Sequence, residues 1–167
     1  MTFTLNHTSP SIINTINSDH DYFEGTLFFS TNVYVMTCSS EVHLYTLEIE
    51  EDQVIDYQDL EPSKEMIEEA QYRVKSLFDI TLDDDEAWDL ITTNDTHCFM
   101  GDFEDEENCF KLDGFSLGEL SWYVQGYQAK TARENGFVAC RSEDEQGTVY
   151  AIHLVNREDL LTYKGLI

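Results

Sequence analysis

Strand-like patterns near both ends of the chain enclose a middle region with helical periodicity, and this order limits the fold more than any other feature. Ser9 and Pro10 open a turn or a short helix after the first strand. Short apolar or alternating runs predict six strands: residues 3–7, 27–30, 42–49, 53–57, 137–140 and 148–155. One face of the third strand carries His43, Tyr45, Leu47 and Ile49. Strands outside and helices inside predict the α+β class.

Two helices are predicted in the first part of the middle region, where apolar residues recur at helical spacing. The first begins after Pro62 and buries Ile67, Ala70, Val74, Leu77 and Phe78. The second covers residues 83–93 and buries Ala87, Trp88 and Ile91. A long, partly anchored loop follows over residues 94–115.

A third helix is marked by its ends. Ser116 and Glu119 form a capping box at its start, and Gly136 stops it just after Asn135. Trp122 is expected to pack beside the helix's apolar stripe. That stripe consists of Leu117, Leu120, Val124, Tyr127 and Thr131.

Charge and composition limit the partners. The 167 residues suit one domain with a real core, and a hydrophobic content of 41% argues against disorder. Against 34 acidic residues there are 9 basic ones, so the formal net charge is -25. Direct nucleic-acid binding is disfavoured, because phosphate contacts need a basic face. An acidic surface instead speeds association with basic proteins.

Several common site types find no support in the sequence. Cys38, Cys98, Cys109 and Cys140 are widely spread, without C-x-x-C pairs or histidines at ligand spacing, so we expect free thiols and no metal. Dinucleotide, P-loop, zinc-protease and nucleophile-elbow motifs are absent. We find no signal peptide and no membrane-spanning stretch, and therefore predict a cytoplasmic protein.

Two segments at opposite ends of the chain suit cleavage of NAD. Residues 7–10 offer His, Thr and Ser side chains that can hydrogen-bond an amide and a ribose. Residues 143–148 place carboxylates where a turn runs into a strand, and a negative charge there can stabilise a developing cation. In a chain this acidic, the second segment is also typical of a solvated hairpin turn.

These segments belong to a set of blocks that resembles a phage-encoded anti-CRISPR family. The blocks are residues 7–10, 27–30, 34–37, 119–122 and 144–148, with Tyr150. The resemblance implies an ADP-ribosyltransferase that uses NAD to modify the large, PAM-recognising subunit of the type I-F CRISPR surveillance complex and thereby blocks target DNA recognition. It covers about residues 7–49 and 117–155 of one domain, residues 1–167, while an acidic middle region of about 58–115 is less well matched.

The resemblance also implies an ADP-ribosyltransferase-like fold in which two small sheets form a cleft for NAD, the consumed cosubstrate. His7 would contact the nicotinamide ribose or the adenosine side. Thr8 would hold the nicotinamide amide through its backbone, with Ser9 close by. From the residues alone, Ser9 is equally explained as a cap.

The second strand supplies the aromatic part of the implied site. Phe28 and Phe29 would form walls against nicotinamide, Ser30 would meet the ribose, and Tyr34 is a further wall. Large aromatic residues in a strand also fill protein cores, and that alternative stays open for both phenylalanines.

Asp144 aligns with the family's catalytic acid. Breaking the bond between ribose and nicotinamide builds an oxocarbenium-like cation, which a fixed carboxylate favours over the ground state. Because Glu143 and Glu145 flank Asp144, a shift of one residue in strand register would direct a different carboxylate inward. Gln146 either orients the acceptor or ends the turn.

Two other functions compete with this prediction. A non-catalytic binder with a charge of -25 can mimic DNA phosphates and occupy a basic channel, without need of NAD. A transferase toxin with the same chemistry and another protein target is the third alternative. In the anti-CRISPR case the site of action is the cytoplasm of the bacterial host.

Overall fold

Two small sheets and three helices make up the part of the chain that the structure describes. A computed structural model describes residues 1–17, 24–35, 40–93, 114–144 and 147–167. The strands are β1 (Thr2–Ser9), β2 (Thr26–Phe29), β3 (His43–Glu50), β4 (Val54–Asp56), β5 (Ala139–Asp144), β6 (Gly147–His153) and β7 (Thr162–Leu166). The helices are α1 (Lys64–Phe78), α2 (Asp84–Thr93) and α3 (Gly114–Glu134). Single 3-10 turns cover Glu51–Gln53, Tyr57–Asp59 and Glu158–Leu160.

The strands form two sheets that meet along one edge. Sheet one has the order β1-β3-β7, and sheet two has the order β2-β6-β5-β4. Neighbouring strands are antiparallel except for the parallel pair β4 and β5. An antiparallel bridge between Asn6 of β1 and Ser30, just after β2, connects the two sheets. This contact places the N-terminal segment against the middle of the fold.

Two apolar layers hold these elements together. Between the sheets, Leu5 and Leu47 of sheet one pack with Phe29 and Ile152 of sheet two. Beneath the helices, Tyr127 of α3 packs with a second cluster that contains Cys140 of β5. Sheet two is therefore covered on both faces, which makes strand alternation decide which layer each of its side chains enters.

Most predicted strands are confirmed. The predicted face of β3 is buried at His43, Tyr45, Leu47 and Ile49. The last two predicted strands are present as β5 and β6, and β5 extends into the acidic segment as far as Asp144. Strand β7 was not predicted, because four of its five residues are exposed and its sequence shows no alternation. It forms by pairing with β3.

The predicted helices are present with corrections to their faces. Ser63 caps α1 through a bond from the Met66 amide, and Met66, Ala70 and Val74 are buried. Leu77, predicted to be buried, is 46% exposed, since Phe78 makes the core contact in this last turn. Trp88, also predicted to be buried, is 38% exposed.

Helix α3 confirms its predicted end but not its predicted start. The helix begins at Gly114, two residues before Ser116. At the other end, Gly136 donates to the Arg133 carbonyl at 3.1 Å and Phe137 to the Ala132 carbonyl at 2.9 Å, a Schellman motif. Trp122, predicted to pack, is 40% exposed.

Some predictions fall outside the described residues. They are residues 94–113 of the predicted loop 94–115, whose last two residues instead belong to α3, and Cys38, Cys98, Cys109, Glu145 and Gln146, together with the side chains of Ser116, Leu117, Glu119 and Asp144. Cys140 is described and is a buried free thiol, as predicted for all four cysteines. Burial raises the pKa of that thiol to about 12, so it is un-ionised at neutral pH.

Candidate functional site

Residues of the predicted site gather where β1 meets the end of β2. Asn6 and Ser30 exchange two backbone hydrogen bonds, of 2.8 and 3.1 Å. The Asn6 side-chain amide donates to the Thr31 carbonyl at 3.0 Å. This double contact holds residues 7–9 of β1 beside residues 28–30, which are far away in sequence.

His7 occupies the centre of this junction. Its Nδ1 lies 2.8 Å from the Phe28 carbonyl, and its ring centroid lies 5.4 Å from that of Phe29. A carbonyl can only accept, so Nδ1 carries the proton and Nε2 is left as an acceptor. Burial lowers the pKa of His7, against the opposing effect of the Phe28 carbonyl. The ring is therefore neutral at pH 7, with an Nε2 suited to accept a hydroxyl proton.

Thr8 presents backbone groups at an open sheet edge. Backbone groups of Asn6 point away from β3, toward Ser30, and those of Thr8 point the same way because strand directions repeat every two residues. No described residue forms a backbone hydrogen bond with Thr8 on this side. The Thr8 hydroxyl donates to the Tyr34 carbonyl at 2.5 Å, which brings Tyr34 to the same edge.

The two serine hydroxyls are engaged in local turns. Ser9 Oγ donates to the Ser11 carbonyl at 2.7 Å and accepts from the Ser11 amide at 3.3 Å. Ser30 Oγ accepts from the Asn32 amide at 3.1 Å. Residues 10–17 contain no helix, so Ser9 shapes a turn and caps no helix.

Phe28 and Phe29 lie on opposite faces of sheet two. Phe29 pairs with Tyr150 and is 2% exposed in the layer between the sheets. Phe28 pairs with Ala151, which in turn pairs with Cys140 of the layer beneath the helices. Each face of this sheet can therefore carry only one of the two rings, and the Phe29 ring is buried in the core.

The acidic segment forms a hairpin at the same end of sheet two. Glu143 pairs with Thr148, and Asp144 pairs with Gly147. Because β2 and β5 are both antiparallel to β6, their C-terminal ends lie at the same end of sheet two. Strand spacing then puts the Asp144 backbone roughly 12 Å from that of Ser30. The site is therefore wide and suits an extended ligand.

Strand register places one of the acidic residues that compete for the catalytic role. Alternation puts Glu143 on the Phe29 side of sheet two. The Glu143 carboxylate accepts a hydrogen bond from the Thr148 hydroxyl at 2.7 Å.

Sequence reasoning missed an arginine beside this hairpin. Arg141 of β5 donates to both carboxylate oxygens of Asp56 at 2.6 and 2.9 Å, and to Glu51 at 3.1 Å. These hydrogen bonds lower the pKa of the Asp56 carboxyl. In so acidic a chain, an arginine next to a run of acidic residues was the sequence feature that could have indicated this ion pair. It anchors β5 to β4 and thereby fixes the position of the hairpin.

No group of three or more His, Cys, Asp or Glu side chains in the described part of the chain has a geometry that suits a metal ion. None of the described helices is long and apolar enough to cross a membrane.

The fold has a counterpart among solved structures. It is similar to a crystal structure of an anti-CRISPR protein, with a TM-score of 0.50 over 100% of this chain and 96% of the other. The sequences are 18% identical, so this likeness shows a shared fold. No family model and no curated protein matches the chain.

Proposed function

We propose that this protein is a phage anti-CRISPR mono-ADP-ribosyltransferase. It would use NAD to modify the large, PAM-recognising subunit of the type I-F CRISPR surveillance complex in the cytoplasm of the bacterial host. The observation that carries the proposal is the edge of β1 at Thr8, whose amide and carbonyl no described residue bonds on the side away from β3, beside the neutral His7.

Residues at this junction fit the two polar parts of a nicotinamide riboside. A carboxamide has one donor and one acceptor group, and the backbone of Thr8 offers the complementary pair at the edge of the sheet. The Nε2 of His7 can accept a hydrogen bond that a ribose hydroxyl donates. Phe28 is half-buried, faces away from the layer between the sheets and is our candidate for the aromatic wall against nicotinamide.

The acidic hairpin supplies the charge that the reaction needs. As the bond between C1′ and nicotinamide breaks, its electron pair leaves with nicotinamide, and the nucleophile of the target protein forms the new bond to C1′ and loses its proton to solvent. A carboxylate near the ribose stabilises the positive charge that develops on the sugar. Asp144 is our candidate, because it aligns with the catalytic acid of the family that the blocks resemble and lies in β5 at this end of sheet two.

The proposed target follows from two supports. The matched blocks resemble a family that acts on the type I-F complex, and the fold is similar over the whole chain to that of an anti-CRISPR protein. A net charge of -25 also favours encounter with a basic, DNA-binding subunit.

The test is the intact mass of each subunit of a purified type I-F complex after incubation with this protein, with and without NAD. We expect one ADP-ribose on the large subunit, only with NAD. Asp144→Asn should slow transfer at least about a hundredfold, as expected when one preorganised charge is lost. Glu48→Gln removes an exposed strand acid from sheet one and serves as the matched control.

Glu143→Gln, tested in parallel, decides which acid acts. If Glu143→Gln silences transfer while Asp144→Asn does not, the assignment of Asp144 is wrong. No mass change, with NAD-independent, one-to-one and salt-sensitive binding, would replace the transferase by the DNA mimic. Modification of other proteins but not of this complex would indicate a toxin.

A further inference from the structure

A basic cluster lies at the other end of sheet two from the proposed transferase site. It centres on His153, at the end of β6, which pairs with Thr26 at the start of β2. Three of the chain's 9 basic residues act on its charge, namely Lys130, Arg133 and Arg157, and a fourth, Arg73, shares the Glu24 carboxylate with Lys130. In a chain with 34 acidic residues, such a concentration of positive charge needs a physical reason.

Two of these cations are balanced within the fold. The buried carboxylate of Glu24 forms ion pairs with both Arg73 and Lys130. Lys130 also lies 2.8 Å from Glu69. The charges of Glu24, Glu69, Arg73 and Lys130 sum to zero. Two of the four cations in the cluster are therefore neutralised within the fold.

The other two cations, Arg133 and Arg157, form no ion pair with any described residue. Arg133 Nη1 donates to the Val155 carbonyl at 3.0 Å and approaches His153 Nδ1 at 3.2 Å. A tight turn, in which the Arg157 amide donates to the Leu154 carbonyl at 2.8 Å, brings Arg157 back toward the same place. The neighbouring Glu158 carboxylate is held by the Ile16 amide at 2.9 Å.

The two guanidinium groups repel each other. Burial lowers the pKa of Arg157, the charge of Arg133 lowers it further, and Asp159 opposes this only as the smallest contribution. Arg157 is half-buried and Arg133 is exposed, and a bound anion would offset the repulsion between these two like charges.

The floor of the cluster contains a buried N–H that is not matched by an acceptor among the described residues. Arg133 can only donate, so His153 Nδ1 accepts and Nε2 carries the proton. That Nε2 is buried, and no described group lies in hydrogen-bond geometry to it; the same holds for the hydroxyl oxygen of Thr26, which pairs with His153. An oxyanion would add acceptors for the N–H groups of this region.

We propose that Arg133 and Arg157 form a binding site for a phosphate oxyanion, carried by inorganic phosphate or by the phosphates of a nucleotide. Guanidinium groups bind phosphate through paired N–H donors in a geometry that suits two neighbouring arginines. The site is separate from the His7–Ser30 junction and does not depend on the transferase proposal.

The experiment is thermal unfolding of the full chain at low ionic strength, with increasing inorganic phosphate or with sodium chloride of equal ionic strength. The chloride series measures how much ionic screening alone stabilises a chain with a net charge of -25, so that this effect can be subtracted. Arg157→Gln and Arg133→Gln are compared with Lys64→Gln, which removes one exposed cation from α1 with the same change in charge.

We expect phosphate to raise the Tm of the parent and of Lys64→Gln well beyond chloride, with an affinity at least about tenfold weaker in either arginine variant. Arg157→Gln should also raise the Tm without phosphate, because it removes the repulsion. Equal responses to phosphate and chloride, or the same phosphate affinity in all variants, would overturn the proposal.

The two sources of phosphate are separated by repeating the titration with ADP and with pyrophosphate in a His7→Ala background. Tighter binding of ADP that is lost in Arg157→Gln identifies a nucleotide site. Equal binding of all three compounds identifies a site for the phosphate group alone. Binding of ADP that Arg157→Gln leaves unchanged would contradict the assignment.

Discussion

At the scale of single residues, His153 shows how its surroundings decide the charge of a side chain. Burial lowers the pKa of His153 to about 4, and Arg133, Lys130 and Arg157 lower it as well. In the unfolded chain the ring titrates near pH 6.5. Between these two values the unfolded state binds more protons, so the contribution to stability is present above pH 6.5 and is lost as the pH falls toward 4.

His153→Gln should therefore reduce the acid sensitivity of the fold. The Gln oxygen can still accept from Arg133, but the side chain does not titrate. We expect the parent to lose on the order of 2 kcal/mol more than the variant between pH 7 and pH 4.5, after allowance for partial exposure. Urea unfolding of both proteins across this range measures the difference. Parallel pH profiles would show that His153 titrates normally.

At the scale of elements, α3 carries two glycines with opposite roles. Gly136 has φ of +89° and forms the Schellman turn that ends the helix. Gly118 lies inside the helix, and a Cβ built there meets no atom within 4 Å. One glycine is needed for its backbone conformation, while the other only weakens the helix.

The substitutions Gly136→Ala and Gly118→Ala should change stability in opposite directions. Gly136→Ala forces an L-residue into the left-handed region and should lower the free energy of unfolding by about 1 kcal/mol. Gly118→Ala should raise it by about 0.5 to 1 kcal/mol, because alanine restricts the unfolded chain and favours helix. The urea midpoints of unfolding measure both changes, provided that the denaturant dependence of the free energy stays the same. A change in stability of the same sign for both variants would contradict the role of Gly136.

At the scale of the whole molecule, Glu24 connects three parts of the fold. It precedes β2, is 6% exposed, and pairs with Arg73 of α1 and Lys130 of α3. The same two cations lie near aromatic rings, Arg73 over Tyr123 and Lys130 over Tyr127. A single carboxylate therefore holds the helices against sheet two.

Glu24→Gln should lower the free energy of unfolding by about 3 kcal/mol, because it removes the buried counter-charge of Arg73 and leaves the buried Lys130 only its contact with the more exposed Glu69. Glu68→Gln, which removes one partner of the exposed pair with Lys64, should change it by less than about 0.5 kcal/mol. Chemical unfolding compares the two variants. Restoration of stability in Glu24→Gln/Lys130→Met would support the buried charge as the cause, and similar small losses for both single variants would exclude it.

The candidate site shows where prediction from sequence stopped. The sequence brought His7, Thr8, Ser30 and Tyr34 to notice, and the structure brings them to one junction. It did not separate Phe28 from Phe29, because both are aromatic residues of one short strand. Only the pairing of β2 with β6 shows that they serve different layers.

Local signals were enough for the elements themselves. The period of β3, the Ser63 cap of α1 and the Gly136 stop of α3 each depend on a few neighbouring residues, so the sequence alone determined them. Only the tertiary structure decided the Asn6–Ser30 bridge, the recruitment of β7 and the cluster around His153. These features depend on which distant segments meet, and that choice rests on the joint burial of two apolar layers that no short window contains.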